Sequence, residues 1–451
     1  MQYSIIQKSQ LEGGLRLDAE YYQPKYLDLI ANLKSQKSKT LGEIGKVAYG
    51  TTPSGGVFDK SGIPFVRSQN FSNLLIDRSE LVFCTEEFHK QNKKSAIKPG
   101  DILFAAVGAT GELAIVQDEI KEGNINQNIA AVRIADKNIN PYFVGFFFAS
   151  KPGQLQIERL ITGNVQPYLN SEQIRSFLVP QVDAREQNEI ASYFQEIQNQ
   201  IQISNSLYSK AEDLLLEELG LKDFKVEDNL SYIVNFSEIK SAHRADAEYF
   251  QPKYEKLVER IKKHGADPLL SLAQNVAARF NPKSQPTKLF QYVELSNITS
   301  SVGTIDGFSE VSGDEAPSRA KRVLKTNDVI LSSVEGSLEK VALAGKEQEG
   351  YLASNGFFQF RSKDILPEVL LVLAKSFILQ MQFGKETAGT ILTAVPKEAV
   401  KNIVVPKVDK STQQKIADLV QKSHEARKKA KELLEEAKQK VENAIENEIN
   451  K

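Results

Sequence analysis

The chain has 451 residues, of which 41% are hydrophobic and 25% charged, and its formal net charge is −1. This profile is typical of a soluble globular protein with two or three domains, and it gives no bulk electrostatic sign of nucleic-acid binding. Cys84 is the single cysteine, which excludes an internal disulfide and a cysteine-based zinc site. With no apolar run long enough for a bilayer and no secretory signal visible, we expect a cytoplasmic protein.

The sequence repeats itself half a chain apart. The phrase RLDAEYYQPKY at 16–26 returns as RADAEYFQPKY at 244–254, with nine of eleven positions identical. KPGDILFAAV at 98–107 corresponds to KTNDVILSSV at 325–334, and VPQVD at 179–183 to VPKVD at 405–409. The separations are nearly equal, so the pattern indicates two whole copies of one domain and its connector.

Each copy predicts the same elements in the same order. A short amphipathic helix starts at Pro24 or Pro252, because proline is favoured at the first helical position. A β-rich region follows, with runs such as IPFVRS, DILFAAV and IAAVRI, and then an apolar helix that starts at Pro141 or Pro367. A strand-like FLVPQV or IVVPKV leads into a long closing helix.

The two closing helices carry the clearest periodicity, with steps of four and three residues that form a heptad seam. The seam positions are Ile190, Phe194, Ile197, Ile201, Ser204, Tyr208, Ala211 and Leu215 in copy one, and Ile416, Val420, Ser423, Arg427, Ala430, Leu434, Ala437 and Val441 in copy two. Small and polar seam residues predict close approach of the helices, and tandem copies related by a twofold axis predict an antiparallel pair.

We therefore expect α/β (α+β) domains in two tandem copies with pseudo-twofold symmetry, separated by two long helices that form an antiparallel coiled coil. The expected segments are domain one at 1–182, a central long helix at 183–222, domain two at 223–408 and a C-terminal long helix at 409–451.

The sequence gives little support for catalysis. None of the four histidines belongs to a known catalytic or metal motif. The acids Asp18 and Glu20, repeated as Asp246 and Glu248, lie beside arginines without a catalytic partner, so capping, ion pairing or a subunit contact is the favoured interpretation.

Two equivalent basic clusters could contact phosphates, although such runs are often only solvated surface. They comprise Lys93, Lys94 and Lys98 in copy one, and Arg319, Lys321, Arg322 and Lys325 in copy two.

Another paired stretch keeps its frame but changes its polar residues. PFVRSQNF at 64–71 corresponds to QYVELSNI at 291–298, so that Asn70 matches Asn297 while Arg67 faces Glu294 and Gln69 faces Ser296. Arginine prefers guanine edges, glutamine prefers adenine, and glutamate can accept from cytosine. Such a frame suits two modules that recognise different sequences, and drift after duplication is an equally good account of any single position.

With these phrases, and with GEIGKVAYGTTPSG at 42–55, NINQNIAAVRI at 124–134 and TGNVQPYLN at 162–170, the chain resembles the specificity subunits of Type I restriction–modification systems. The resemblance implies two target recognition domains that each read half of a split double-stranded DNA sequence, with the long helices as a ruler. It implies a prokaryotic, cytoplasmic protein that docks two modification (methyltransferase) subunits and two restriction (translocase/nuclease) subunits.

By that resemblance the chain is not an enzyme by itself and binds no cofactor or metal, whereas S-adenosylmethionine, ATP and Mg belong to the partner subunits. Base readout is expected from Arg67, Gln69, Asn70, Glu294, Ser296 and Asn297, with the two asparagines positioning the others, and loop contacts from Thr51, Thr52 and Ser54. The alternative is a coiled-coil scaffold that joins two protein- or ligand-binding domains without nucleic acid.

Overall fold

The computed structural model describes residues 4–8, 11, 16–56, 58–59, 61–79, 81–161, 167–225, 229–389 and 393–449. The chain divides into two compact units. Unit 1 comprises 1–201 with 427–451, and unit 2 comprises 202–426. The predicted domain boundaries remain a prediction.

Unit 1 mixes short strands with helices. Its strands are β1 Lys39–Thr40, β2 Gly45–Tyr49, β3 Ile63–Val66, β4 Phe71–Ser72, β5 Leu75–Ile76, β6 Val82–Cys84, β7 Ala96–Ile97, β8 Ile102–Ala105, β9 Leu113–Ile115, β10 Gly123–Ile125, β11 Ile129–Ile134 and β12 Leu178–Val179. Its helices are α1 Pro24–Ser35, α2 Leu41–Ile44, α3 Glu86–Gln91, α4 Pro141–Ala149, α5 Lys151–Leu160, α6 Ser171–Ser176 and the first part of α7 Ala184–Glu218.

Two four-stranded sheets of unit 1 pack against each other, in the orders β6-β3-β10-β7 and β2-β11-β8-β9. Strand alternation sends Leu103 of β8 into the layer between the sheets, together with Val66 and Ile125, and sends Phe104 to the opposite face. That face packs on α4, where Phe143, Phe146 and their neighbours are fully buried. The second sheet is therefore covered on both faces, which explains why β8 is a continuous apolar run.

Unit 2 contains a second set of elements. Its helices are the last part of α7, α8 Phe236–Ala242, α9 Pro252–Lys263, α10 Leu269–Leu272, α11 Pro367–Lys375, α12 Phe377–Lys385 and the first part of α13 Lys410–Ile449, whose last part belongs to unit 1. Its strands are β13 Ala266–Pro268, β14 Ala273–Asn275, β15 Leu289–Val293, β16 Ile298–Thr299, β17 Thr304–Ile305, β18 Ser309–Ser312, β19 Ala320–Val323, β20 Asp328–Ser332, β21 Val341–Leu343, β22 Leu352–Ser354, β23 Phe357–Ser362 and β24 Val404–Pro406.

The sheets of unit 2 repeat the strand orders of unit 1. They run β18-β15-β22-β19 and β14-β23-β20-β21, so β15 and β22 take the places of β3 and β10. Val293, Ile330 and Ala353 fill the layer between these sheets, and the outer face of β20 packs on α11. The mixed helix–strand composition expected from the sequence is confirmed.

The proline-started helices form where the sequence predicts them. Pro24 and Pro252 stand at the starts of α1 and α9, and Pro367 starts α11. At α4, the Asn140 side chain accepts a hydrogen bond from the Tyr142 N–H and Pro141 is the first helical residue. The start at Pro141 is the one that the sequence predicts, and the Asn140 cap satisfies a backbone N–H of the first turn.

The long helices bury the predicted seam, since fifteen of its sixteen side chains are buried and Ile201 is partly buried. Within unit 2, the Ser204 and Ser423 hydroxyls lie 3.1 Å apart, and Thr412 Oγ1 donates to Glu218 at 3.3 Å. Because the number rises along α7 as it falls along α13, the helices run in opposite directions there. Within unit 1, Lys440 of α13 pairs with Glu189 of α7. In the part of the chain that the structure describes, neither these helices nor any other is apolar enough over its length to cross a membrane.

Candidate functional site

One edge of unit 1 gathers residues that are far apart in the sequence. Strands β3 and β10 are parallel neighbours, so the loops that follow them emerge at the same edge. The Asn126 N–H donates to the Val66 carbonyl at 3.3 Å, and the Thr51 N–H donates to the Ile125 carbonyl at 3.0 Å. The Arg67 turn, the 51–56 loop and the loop after β10 therefore form one surface.

The turn after β3 has a polar side chain as its internal brace. Asn70 is 1% exposed, and its Oδ1 accepts a hydrogen bond from the Arg67 backbone N–H at 2.9 Å. Gln69 is exposed, and the half-buried Arg67 guanidinium lies 5.7 Å from the Phe58 ring centroid. Asn70 thus fixes the turn, while Arg67 and Gln69 are the polar side chains that differ between the two copies in the sequence.

The 51–56 loop lies against the loop that follows β10. Thr51 and Ser54 are exposed, and the Thr52 hydroxyl donates to the side-chain carbonyl of the exposed Gln127. A Cβ on Gly50 would meet the Asn126 carbonyl oxygen at 2.0 Å, so only glycine permits this close approach. Gln127 is a surface candidate that was not predicted from the sequence, because only the contact between distant loops identifies it.

Two of the three predicted lysines of unit 1 lie at this same edge. Strand β7 is antiparallel to β10, with Ala96 opposite Asn124, so the exposed Lys93 and Lys94 precede β7 at the carboxyl end of β10. Lys98 follows β7 and lies at the opposite end of the sheet.

A buried asparagine holds the lysine turn in place. Asn124 of β10 is fully buried, and its Nδ2 donates to the Ser95 hydroxyl at 2.8 Å and to the Asn92 carbonyl at 3.2 Å. Its Oδ1 lies 2.6 Å from His89 Nδ1. The amide orientation that these acceptors require makes His89 the donor through Nδ1. The sequence carries no signal for this network because its members belong to different elements.

Unit 2 builds the same turn with different side chains. The Glu294 backbone N–H donates to Asn297 Oδ1 at 2.9 Å, and the Ser296 hydroxyl donates to Glu294 Oε1 at 3.1 Å. Glu294 and Ser296 are exposed, whereas Asn297 is partly buried. The brace is therefore common to both units, and the exposed polar pair differs.

In unit 2, Arg319 is the member of the basic cluster that lies at the same edge as the Glu294 turn. Strand β19 is antiparallel to β22, and the Asn355 N–H after β22 donates to the Arg319 carbonyl at 2.7 Å. Because β15 and β22 are parallel, the exposed Arg319 lies at the edge that carries Glu294. Lys321 is exposed along β19, and Lys325 lies beyond the far end of that strand.

Arg322 departs from the predicted phosphate-contact cluster. Residues alternate in β19, so Lys321 and Val323 face outward while Ala320 and Arg322 face inward. Arg322 is 3% exposed, its Nη1 donates to the Val276 carbonyl at 2.5 Å, and burial lowers the pKa of its guanidinium to about 10. A side chain committed to the interior does not reach a phosphate, so the expectation for Arg322 is corrected.

The repeated phrase at 16–26 and 244–254 forms local ion pairs. Arg16 Nε lies 2.5 Å from Asp18, and Arg244 holds Asp246 through two nitrogens at 2.8 and 2.9 Å. These hydrogen bonds lower the pKa of both aspartates. Each arginine also lies over a tyrosine ring, Tyr21 or Tyr249. Ion pairing, one of the three interpretations favoured from the sequence, accounts for Asp18 and Asp246.

Comparison with known proteins identifies the domain family of the region that contains this edge of unit 1. Residues 34–213 match the model of the Type I restriction modification DNA specificity domain. Residues 34–213 belong to this domain family. The resemblance to specificity subunits inferred from the sequence is thereby confirmed.

Individual relatives of the specificity domain are distant. The chain is 28% identical over 144 residues to the Type I restriction enzyme EcoBI specificity subunit of Escherichia coli, and the match spans 32% of this chain and 30% of that protein. The chain therefore spans about a third of the length of this curated relative.

Two solved structures also match over most of the chain. The S subunit from M. genitalium is 12% identical with a TM-score of 0.38, covering 90% of this chain and 95% of that one. The HsdS subunit from Thermoanaerobacter tengcongensis is 14% identical with a TM-score of 0.30, covering 91% and 96%.

Among the described residues of the chain, no group of three or more His, Cys, Asp or Glu side chains lies close enough together to hold a metal ion. What the edge presents instead is a set of hydrogen-bonding and cationic side chains around a braced turn. Such a surface can contact base edges and phosphates.

A partly buried histidine in unit 2 gives a pH prediction. Burial lowers the pKa of His424 from 6.5, and its Nε2 lies 2.9 Å from the Val302 carbonyl, so the folded unit holds it neutral. As the pH falls through 6.5, the unfolded chain gains a proton that the folded unit does not, and unit 2 is expected to lose stability. Urea midpoints at pH 7.5 and 5.5 should differ more for the wild type than for His424→Gln, which keeps a neutral donor. Equal differences would contradict this assignment.

Proposed function

We propose that the chain is the DNA-reading specificity subunit of a Type I restriction–modification complex, and that each unit recognises one half of a split target. The observation that carries the proposal is the duplicated edge. Asn70 and Asn297 brace the same turn, while Arg67 and Gln69 in one unit are replaced by Glu294 and Ser296 in the other. A common brace with different exposed hydrogen-bonding groups suits two modules that read different bases.

The proposal includes a role for the long helices. In the proposed arrangement, the two domains are related by a pseudo-twofold axis, and α7 and α13 form an antiparallel coiled coil that sets the number of base pairs between the half-sites. The buried heptad seam and the Ser204–Ser423 contact support it, because small residues allow the helices to approach closely.

The reaction itself belongs to partner subunits in this proposal. Two modification subunits carry S-adenosylmethionine and methylate adenines, and two restriction subunits supply ATP-driven translocation and cleavage with Mg. This chain supplies the address and contributes no reacting group. Its balanced net charge of −1 is compatible with DNA binding if the partner subunits share the contacts with the duplex.

Co-expression with the cognate modification subunit, followed by genome-wide mapping of methyladenine, tests the proposal. We expect a two-part motif with a fixed spacer, and no new methylation from the modification subunit alone. A purified complex that binds S-adenosylmethionine but methylates no new site would contradict the proposal and favour the scaffold alternative.

The lysine turn gives a second, quantitative prediction. Lys93 and Lys94 are exposed at the edge that carries the Arg67 turn, so replacing both by alanine is expected to weaken binding to all sequences alike. The slope of log K against log salt should fall by about two, since each phosphate contact contributes roughly 0.9. Titrations of the complex with its target DNA at several salt concentrations measure this slope. Lys137→Ala, an exposed lysine after β11, is the control, and an unchanged slope in the double variant would remove the two lysines from the interface.

A further inference from the structure

Each recognition turn runs directly into a small hairpin that determines its position. In unit 1 the turn continues into β4–β5, and the Asp77 N–H returns to the Asn70 carbonyl at 2.7 Å. In unit 2 it continues into β16–β17, and the Asp306 N–H returns to the Asn297 carbonyl at 3.0 Å. A tilt of the hairpin therefore tilts the turn and the side chains that it presents.

In unit 1, helix α13 reaches this hairpin through a buried arginine. Arg427 occupies a seam position and is 5% exposed, and its Nη2 donates to the Ser72 hydroxyl of β4 at 2.7 Å. Burying a guanidinium in a helix seam is costly compared with an apolar side chain of similar size. The seam positions that follow it on α13 are Ala430, Leu434 and Ala437, so packing alone does not require an arginine there.

In unit 2, the same helix reaches the equivalent hairpin through a histidine. His424 Nε2 lies 2.9 Å from the carbonyl of Val302, which stands between β16 and β17. A carbonyl only accepts, so Nε2 carries the proton and donates it. Lys375 of α11 donates to the neighbouring Ser300 carbonyl. This hairpin is thus also held by polar side chains from helices.

We propose that Arg427 and His424 are positioning residues for base readout, each fixing the orientation of the recognition turn in its own unit from α13. The inference rests on the proposed function. Neither residue is expected to touch DNA. Their effect is on the alignment of Arg67 and Gln69 in unit 1, and of Glu294 and Ser296 in unit 2.

Each hairpin is also anchored through its backbone, so a positioning role of Arg427 and His424 can be distinguished from a purely structural one. The Ile115 N–H donates to the Leu74 carbonyl at 2.9 Å, and the Leu343 N–H donates to the Gly303 carbonyl at 3.0 Å. These bonds tie each hairpin to the second sheet without help from α13. Loss of the Arg427 or His424 contact should therefore leave the hairpin folded but free to tilt, which relaxes specificity without unfolding the unit.

The test maps methyladenine for complexes carrying Arg427→Met, Ser72→Ala, His424→Leu or His424→Gln. Arg427→Met and Ser72→Ala break one contact from its two sides and should relax the same half of the motif, with a loss of discrimination of about tenfold. His424→Leu should relax the other half by a similar factor, while His424→Gln, which retains a donor, should largely restore it. Lys428→Ala, at an exposed position of the same helix, is the matched control and should keep the full motif.

Three results would overturn the inference. One is an unchanged motif in Arg427→Met and Ser72→Ala at unaltered melting temperature. Another is equal relaxation of both halves by either Arg427→Met or His424→Leu, which would indicate general loosening. The third is a difference between Arg427→Met and Ser72→Ala in the half they affect. Absence of a two-part motif in the wild-type complex is a separate outcome, which would remove the proposed function and this inference with it.

Discussion

Asp328→Ala is expected to lower the free energy of unfolding of unit 2 by about 3 kcal/mol, because it removes the acceptor of a buried network. The Asp328 carboxylate is fully buried and accepts two hydrogen bonds from Arg361, both at 2.8 Å. It also accepts from the Lys325 backbone N–H at 2.8 Å and from Gln359 Nε2 at 2.7 Å. The variant leaves these donors without their partner in the interior.

Urea unfolding, monitored through hydrogen exchange of the β20 and β23 amides, measures the loss in free energy of unfolding of unit 2 separately from unit 1. Asp314→Ala, which removes an exposed carboxylate from the same unit, should change the free energy of unfolding by less than about 0.5 kcal/mol. A loss in Asp328→Ala no larger than that of the control would show that the network adds nothing to stability.

Unit 1 contains an equivalent network around Asp101, the residue that matches Asp328 in the sequence repeat. Asp101 accepts from Arg133 Nε at 2.7 Å and from the Lys98 backbone N–H at 2.8 Å. The sequence aligned Lys98 with Lys325 as phosphate contacts, whereas the structure uses the backbone of both to hold an aspartate. The phosphate role of their side chains stays a prediction. Alignment identified an equivalent position, but only the fold shows which atom of that position is used.

Local periodicity was the part of the fold that the sequence could predict. The heptad seam and the proline-started helices depend on neighbours three or four positions away or on one capping residue, so they are encoded within a short window. The burial of Ser204 and Ser423 follows from their seam positions alone.

The candidate site could be predicted only in pieces, because its assembly is non-local. The parallel pairing of β3 with β10 brings Gln127 next to Thr52, and the antiparallel pairing of β7 adds Lys93 and Lys94. No spacing in the sequence specifies which strands pair. The prediction for Arg322 failed for a different reason. It rested on the run of charged residues alone, and such a run does not show that alternate residues of a strand point inward.

Arg67→Ala is expected to relax one base position in one half of the methylation motif, with a loss of about 1–3 kcal/mol in discrimination. The turn should keep its shape, because the brace is the Arg67 backbone N–H to Asn70 Oδ1, which alanine retains. The guanidinium that leaves is partly buried near Phe58, so some packing is lost with it. Methyladenine mapping of the variant complex shows which base position has become degenerate.

Glu294→Ala is the matched variant in unit 2, since Glu294 occupies the equivalent place and its backbone N–H is braced by Asn297 in the same way. The two variants should relax different halves of the motif. Asn70→Ala separates positioning from contact: it leaves Arg67 in the chain but removes the buried brace, so it should relax every base that this turn reads and also lower the stability of unit 1. If Arg67→Ala left the motif unchanged while Asn70→Ala altered it, the turn would be part of the interface but Arg67 would not be one of its reading groups.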